Sequence, residues 1–292
     1  MLHSECSVEA AYGKPRRLRQ MAATNSLSEK RVIIFDLDGT LAESKSSLDE
    51  EMASLIRDLL RQRYVAVASG GAFPQFKKQF LSKLPRNTKF RNLFLFPTNS
   101  ASGYYYNTKL RRFLRAYNYL LTKHDAKRIV QAFETVFKQL NYVQPRKTYG
   151  PVLENRGSQV TFSALGQKAP LCLKQKWDPK QKKRLRIRKR LKKYLQSFEV
   201  SIGGTTSIDV TKKGVNKTLC VKKLNQRLGV SKKHMMYVGD ALFRGGNDYI
   251  MRNTKITCIP VSNPTETKRL IKRLIESDPA PDKMHSRPRH FG

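Results

Sequence analysis

The sequence is short of acid. Its 292 residues carry 22 Asp and Glu against 58 Lys and Arg, with one tryptophan and four cysteines. No apolar run approaches the roughly eighteen residues of a membrane-spanning helix, and the first thirty residues lack the apolar centre of a secretory leader. The expectation is a cytoplasmic protein with no membrane partner. Cys6, Cys172, Cys220 and Cys258 lie far apart, with no CxxC pair and no histidine at ligand spacing, which argues against a disulfide framework and a zinc site. They read as reduced thiols.

What is abundant is positive charge. A formal net charge of +36 attracts phosphate-rich partners, but the cations are spread along the whole chain. The densest run, "KQKWDPKQKKRLRIRKRLKKY" at 174–194, has Asp178 as its only acid. Leu185, Ile187, Leu191, Tyr194 and Leu195 fit helical spacing in part, so the run reads as an amphipathic surface helix opened by "WDP". Only Trp177 and Tyr194 offer rings for base stacking. Nonspecific nucleic-acid binding through charge is therefore expected more than a dedicated RNA-binding protein on this fold, which is the remote alternative function.

Residues 1–30 and 277–292 are polar and without period, and read as a disordered extension and tail. Between them the pattern is α/β. "RVIIFDLD" is a short apolar run of the kind buried in a parallel sheet. A helical period over 48–63, the strand "YVAVASGG", a helix near 74–84, the strand "NLFLFPT" and a hairpin at "SGYYYNTK" follow. Residues 113–209 change character: a long helix, two extended runs around "NRGS", the basic helix, and the strands "FEVSIGG" and "SIDVT" read as α+β. The α/β pattern then resumes over 210–276. The fold class is a Rossmann-like parallel-sheet core, 31–112 and 210–276, with an inserted α+β cap.

Ligands of open α/β sheets bind beyond the carboxyl ends of the strands. Asp36 and Asp38, Ser69 with its two glycines, the Lys213/Lys217 region, and Asp240 with Asn247 and Asp248 all fall at such ends and would share one crevice. Two adjacent carboxylates stay ionised most easily beside a cation, and an all-oxygen site suits Mg²⁺. Ser69, the backbone amides of the glycine turn and a lysine would bind phosphate oxygens. Asp36 could then attack phosphorus to give an aspartyl phosphate, and Asp38 could carry the proton of the leaving or entering oxygen.

These residues resemble the haloacid dehalogenase superfamily. "DLDGTL" is similar to its first motif, "VASGG" to its second, Lys217 in "GVNK" to its third and "VGDALFRGGND" to its fourth. The insertion resembles a type IIB cap, and the closer likeness, over about 31–265, is to the eukaryotic-type phosphomannomutase branch. The resemblance implies Asp36, Asp38 and Asp240 as metal ligands, with Asn247 and Asp248 supporting them from outside. "LENRGSQVTFSALGQ" and "VSIGGTTSIDV" resemble cap segments of that branch, which places Arg156, Ser207 and Asp209 at the sugar phosphate. Two further phosphate-binding arginines fall on Lys45 and Lys174, keeping charge but losing the bidentate fork.

The chain departs from that pattern at Gln167, where the branch has an arginine, and in "SGGAFPQF". A mutase must hold whichever phosphate is not reacting, so a neutral amide there weakens the case for it. The resemblance implies interconversion of mannose 1-phosphate and mannose 6-phosphate, with a hexose 1,6-bisphosphate activator and a homodimer formed through the cap. A sugar-phosphate phosphatase is the alternative.

Overall fold

A computed structural model describes residues 27–44 and 46–277. Seven strands form the main sheet: β1 (Val32–Phe35), β2 (Tyr64–Ala68), β3 (Leu93–Phe96), β4 (Ser102–Asn107), β5 (Arg112–Asn118), β10 (Met235–Gly239) and β11 (Thr257–Pro260). Their order is β11-β10-β1-β2-β3-β4-β5, parallel from β11 to β3 and antiparallel across β3, β4 and β5. β1 lies inside the sheet, and its alternate side chains feed two cores. Ile33 and Phe35 join one cluster with α1 (Glu50–Gln62) and α7 (Pro264–Glu276). Val32 and Ile34 join the other, with α6 (Leu219–Leu228). Burial on both faces is why the strand reads as an unbroken apolar run.

α1 begins at Asp49, whose side chain accepts from the Met52 amide, and it buries Met52, Ala53, Ile56, Leu59 and Leu60 at helical spacing. Met52, Ile56, Leu59 and Leu60 each contribute about 1.5–3 kcal/mol when fully buried. Arg63, just past the helix, is wholly buried. Its guanidinium donates to the carbonyls of Lys30, Leu274 and Ser277 at 2.8, 2.7 and 2.7 Å. The buried charge is thus matched by acceptors from both ends of the core. Packing starts at Leu27, itself buried, ahead of the boundary expected at residue 31. The remainder of the expected extension and tail, 1–26 and 278–292, lies outside the described residues.

The cap has its own four-stranded antiparallel sheet, β6 (Leu153–Asn155), β7 (Val160–Ser163), β8 (Phe198–Ile202) and β9 (Ser207–Lys212), in the order β6-β7-β9-β8. α3 (Lys123–Gln139), opened by a reciprocal Thr122/Asp125 capping box, buries Ile129, Phe133 and Val136 against Val160, Phe162, Ile208 and Val210 of that sheet. Strand alternation turns Thr161, Ser163, Ser207 and Asp209 the other way, into a cleft facing the main sheet.

Two expectations are corrected. The insertion does not begin at 113, because β5 is the edge strand of the main sheet; the cap lies between β5 and the end of β9. The basic run is two helices, α4 (Leu171–Trp177) and α5 (Lys182–Tyr194). Asp178 sits at the break and accepts from the Lys183 and Arg184 amides, both at 3.1 Å, so a carboxylate caps α5 and also pairs with the buried Arg184 side chain at 3.0 Å. A single acid in a basic run marks the helix start. Among the described residues Cys172, Cys220 and Cys258 are free thiols, and no helix is long and apolar enough to cross a membrane.

Candidate active site

The carboxyl ends of β1, β2 and β10 and the polar face of the cap sheet line one narrow cleft. It brings together Asp36, Asp38, Ser69, Asp240 and Asn247 from the core and Arg156, Gln167, Lys174, Ser207 and Asp209 from the cap. Lys45 lies outside the described residues.

Asp36 ends β1, where its amide donates to Val238 O of β10 at 2.9 Å. Its side chain is buried, and Lys217 Nζ donates to its Oδ1 at 2.7 Å. The same ammonium donates to Asp248 Oδ1 and, at 3.3 Å, to the Tyr237 hydroxyl. Tyr237 in turn donates to Asp248 Oδ1 at 2.6 Å, and the Ala241 amide to Asp248 Oδ2 at 3.2 Å. One buried cation therefore serves two buried carboxylates.

The electrostatics follow from that count. Burial pushes the Asp36 carboxyl well above its ordinary range; Lys217 opposes this, while Asp248 and Asp240 add to it. Burial alone would lower the Lys217 ammonium, but Asp248 and Asp36 outweigh it and raise its pKa. Asp240 is pushed up to about 6 by burial and then by Asp248, with Lys217 opposing. The cluster carries excess negative charge in a desolvated place, which favours a cation beside it.

Carboxylate oxygens of Asp36, Asp240 and Asp248 lie within 4.8 Å of one another. This differs from the expected grouping of Asp36, Asp38 and Asp240. Asp38 stands beyond the strand in the turn closed by Gly39 N to Ala42 O at 2.7 Å, and its Oδ2 accepts from Gln75 Nε2 at 3.3 Å. Asp248 joins the cluster but is held from behind by Lys217, Tyr237 and the Ala241 amide, so Asp36 and Asp240 are its outward members. Three carboxylates with only oxygen donors suit a hard divalent ion such as Mg²⁺. Gly39 lets the turn pass close to them: it has φ +84°, and a Cβ there would stand 2.5 Å from Asp240 Oδ2.

Ser69 ends β2 and is buried; its Oγ accepts from the Gly71 amide at 3.3 Å. Its carbonyl accepts from the Asn99 amide at 2.9 Å, and the Gly71 carbonyl from the Thr98 amide at 2.8 Å. Those donors lie in the turn after β3, where Thr98, Asn99 and Ser100 all take left-handed backbone, φ 51°, 54° and 67°. Three such residues in a row are costly, and they persist here because the segment after β2 accepts hydrogen bonds from two of them.

The turn also reaches the cap. Asn99 Nδ2 donates to Asp209 Oδ2 at 3.0 Å and to Gln159 Oε1 at 2.9 Å. Asp209 Oδ1 accepts from Gln159 Nε2 at 3.0 Å and Thr161 Oγ1 at 2.8 Å. Arg156 Nη1 donates to Gly70 O at 2.9 Å, while Glu154 holds its other edge at 2.9 and 2.7 Å. Asp209 and Arg156 thus join cap to core as well as facing the cleft. Lys174 is buried at the cleft wall, its ammonium donating to the Gln167 carbonyl at 2.7 Å. Gln167 and Lys174 are therefore neighbours on the cap side of the cleft.

Asn99, Gln159, Thr161, Tyr237 and Gln75 escaped the sequence reading. Tyr237 lay within an apolar strand, and Asn99 in "PTNS" looked like an ordinary strand exit; position at a strand end was the one signal available for it.

Comparison with known proteins bears on the chain as a whole more than on single site residues. The family model described as eukaryotic phosphomannomutase matches residues 52–277. The phosphomannomutase of Encephalitozoon cuniculi is 27% identical over 256 residues, covering 85% of this chain and 94% of that protein. Phosphomannomutase 1 of Dictyostelium discoideum is 28% identical over 267 residues, covering 85% and 98%. Among solved structures, Plasmodium falciparum IMP-nucleotidase superposes with a TM-score of 0.65 at 19% identity, covering 93% of this chain and 74% of that one. The C-terminal domain of C. albicans trehalose-6-phosphate phosphatase superposes with a TM-score of 0.59 at 15% identity, covering 88% and 97%. At those identities the structural likeness speaks to the fold alone.

Proposed function

The chain belongs to the eukaryotic phosphomannomutase family, and from that membership we propose that it transfers a phosphoryl group between mannose 1-phosphate and mannose 6-phosphate through an aspartyl phosphate on Asp36. The observation that carries this reading is a single cleft lined by the β1 and β10 carboxylates on one side and by Arg156, Lys174, Ser207 and Asp209 on the other. A hexose bisphosphate has two anionic ends, and core and cap each offer chemistry for one.

Lys217 holds Asp36 Oδ1, which leaves the other oxygen to attack phosphorus. The Ser69 hydroxyl and the Gly70–Gly71 amides receive the phosphoryl oxygens. Asp38, oriented by Gln75, gives a proton to the leaving sugar oxygen and takes one from the entering hydroxyl. Mg²⁺ held by Asp36 and Asp240, with Asp248 behind them, would supply charge neutralisation at the phosphoryl group. On the cap side, Arg156 and Lys174 bind the idle phosphate, and Ser207 with Asp209 orients the sugar once Asp209 is released from Asn99. A hexose 1,6-bisphosphate activator, cytoplasmic residence and a homodimer through the cap belong to the same reading. The exposed cations of α5 attract nucleic acid by charge alone, with a steep salt dependence and no sequence preference.

Hydrolysis of sugar phosphates is the second reading, and two observations favour it. Gln167 puts a neutral amide in the idle-phosphate end. Asp38, Asp240 and Asn247 also line an adjoining open hollow between α4 and the loop after β10, which brings solvent up to Asp38. Phosphorus NMR of the protein with Mg²⁺, mannose 1-phosphate and catalytic hexose 1,6-bisphosphate separates the two. Bisphosphate-dependent mannose 6-phosphate without free phosphate is the expected result; free phosphate alone would replace the mutase with the phosphatase.

A further inference from the structure

Behind the catalytic cleft lies a second pocket, about 370 Å³, between α5 and the loop that joins Asp240 to Asp248. Its walls differ from those of the cleft. Ile202, Ile250 and the half-exposed ring of Tyr249 give it an apolar floor, while Arg188 and Lys192 of α5 and Arg244 of the loop bring cations to it. Arg188 and Lys192 are four residues apart, so they lie side by side on one helix face. Glu199 is the only acidic residue lining the space.

Among the described residues none of these three cations forms an ion pair. Arg188 donates its Nε to Val200 O at 3.0 Å and repels Lys192 beside it, and Arg244 faces the same space from the loop. Burial lowers the pKa of the Lys192 ammonium, and Arg188 and Lys213 lower it further against the opposing pull of Glu199. Like charges gathered in a concave, partly desolvated place repel, and an anion seated among them relieves that repulsion.

We propose that this pocket, which adjoins the reaction centre through Lys217, is a second ligand site that takes a phosphate monoester. The phosphate sits among Arg188, Lys192 and Arg244, and an aromatic or aliphatic body lies on Tyr249 and Ile250. Asn99 and Asn247 line both this pocket and the cleft, so the occupant abuts the loop that carries the fourth-motif residues. It also spans cap and core, because α5 belongs to one and Arg244 to the other. An occupant therefore favours the docked cap, and its binding is linked to that of any ligand the docked cap encloses.

The site rests on the pocket's own residues and not on which reaction the cleft performs, so it can fail while phosphoryl transfer stands. Phenylphosphonate, which mimics a phosphate monoester but has no ester bond to cleave, is titrated calorimetrically into the full chain, with inorganic phosphate in parallel. The expected result is two phenylphosphonate sites per chain. Lys192→Glu with Arg244→Glu weakens one of them by about tenfold or more, the scale of one lost charge-assisted contact, while Lys174→Met affects the other. Asn253→Trp, which fills the pocket without changing charge, removes the same site as Lys192→Glu with Arg244→Glu. A single site in the unaltered chain overturns the proposal. So does equal weakening by Lys189→Glu with Arg190→Glu, which reverses charge on α5 away from the pocket and would show diffuse attraction only.

Discussion

Lys217 Nζ stands 2.7 Å from Asp36 Oδ1 with both side chains buried, and the same ammonium is shared with Asp248. The nucleophile is thus held by a cation that it cannot lose without also unpairing a second carboxylate. Replacing Lys217 by Met should abolish turnover and cost about 3–5 kcal/mol of stability, the scale for one partner removed from a buried pair. Urea unfolding of the variant beside the parent measures it; a loss below 1 kcal/mol would mean the carboxylates simply take up protons.

Asp36→Asn tests the chemistry with less disturbance to the fold. The amide keeps the shape, and Lys217 keeps Asp248 as partner. Phosphoryl transfer should disappear while the thermal midpoint stays within a few degrees, and excess chelator should silence the parent protein in the same assay. Turnover surviving in the variant would remove Asp36 as nucleophile.

Gln167 and Lys174, both lining the cleft from the cap, are joined through the Gln167 backbone carbonyl. Gln167→Arg should restore a bidentate cation there and raise the ratio of mannose 6-phosphate formed to phosphate released. The neutral amide lacks a charge-assisted contact worth about 1.5–3 kcal/mol, so a tenfold change in that ratio is the expected scale. An unchanged ratio would show that another feature sets the partition.

Asn99 bridges the β3 turn to Asp209 and Gln159 of the cap. Asn99→Ala should leave Asp209 with fewer donors and loosen the docked cap. A rise in KM for the sugar phosphate larger than the fall in kcat is the expected signature, together with faster amide exchange along β7 and β9. Unaltered exchange would mean that Arg156 and Gly70 suffice to hold the cap.

Far from the cleft, Glu51 on α1 accepts from Lys272 of α7 at 2.7 Å and pairs with Lys268 at 2.9 Å. Hydrogen bonds from Lys272 and Lys268 lower its carboxyl from an ordinary 4.5 to about 2. Because the folded value is the lower one, its contribution is present above pH 4.5 and is lost as pH falls toward 2. Glu51→Gln should therefore flatten the decline of the thermal midpoint between pH 5 and about 2 and matter least at its acid end. An unchanged acid slope would show that the exposed pair is screened out.

The α/β alternation was legible because β1, β2, β3 and β10 are buried on both faces while the helices that flank them are buried on one, so period separates them. The carboxylates were legible because they stand at strand ends. Harder to read were features that depend on distant partners. β5 carries half-buried aromatic and basic residues and reads like cap until its pairing with β4 is known. Asp38 reads as a metal ligand and Asp248 as its outer support, yet a turn sends Asp38 toward Gln75, and Lys217 and a tyrosine hidden in β10 hold Asp248 inside the carboxylate cluster. Asp178 looked like the opening of one helix and is the hinge between two.

Arg63 binds carbonyls at Lys30 and Ser277, so the first and last described segments of the core meet at one guanidinium. A short bridge could splice Ser277 to Leu27, and new ends could be cut elsewhere, for instance at the exposed β4–β5 hairpin. Such a circular permutant should fold and keep the cleft, since both segments would stay within reach of Arg63. Deleting residues 27–30 instead would strip acceptors from a buried charge, so the polypeptide tolerates rewiring of its order better than trimming of its seam.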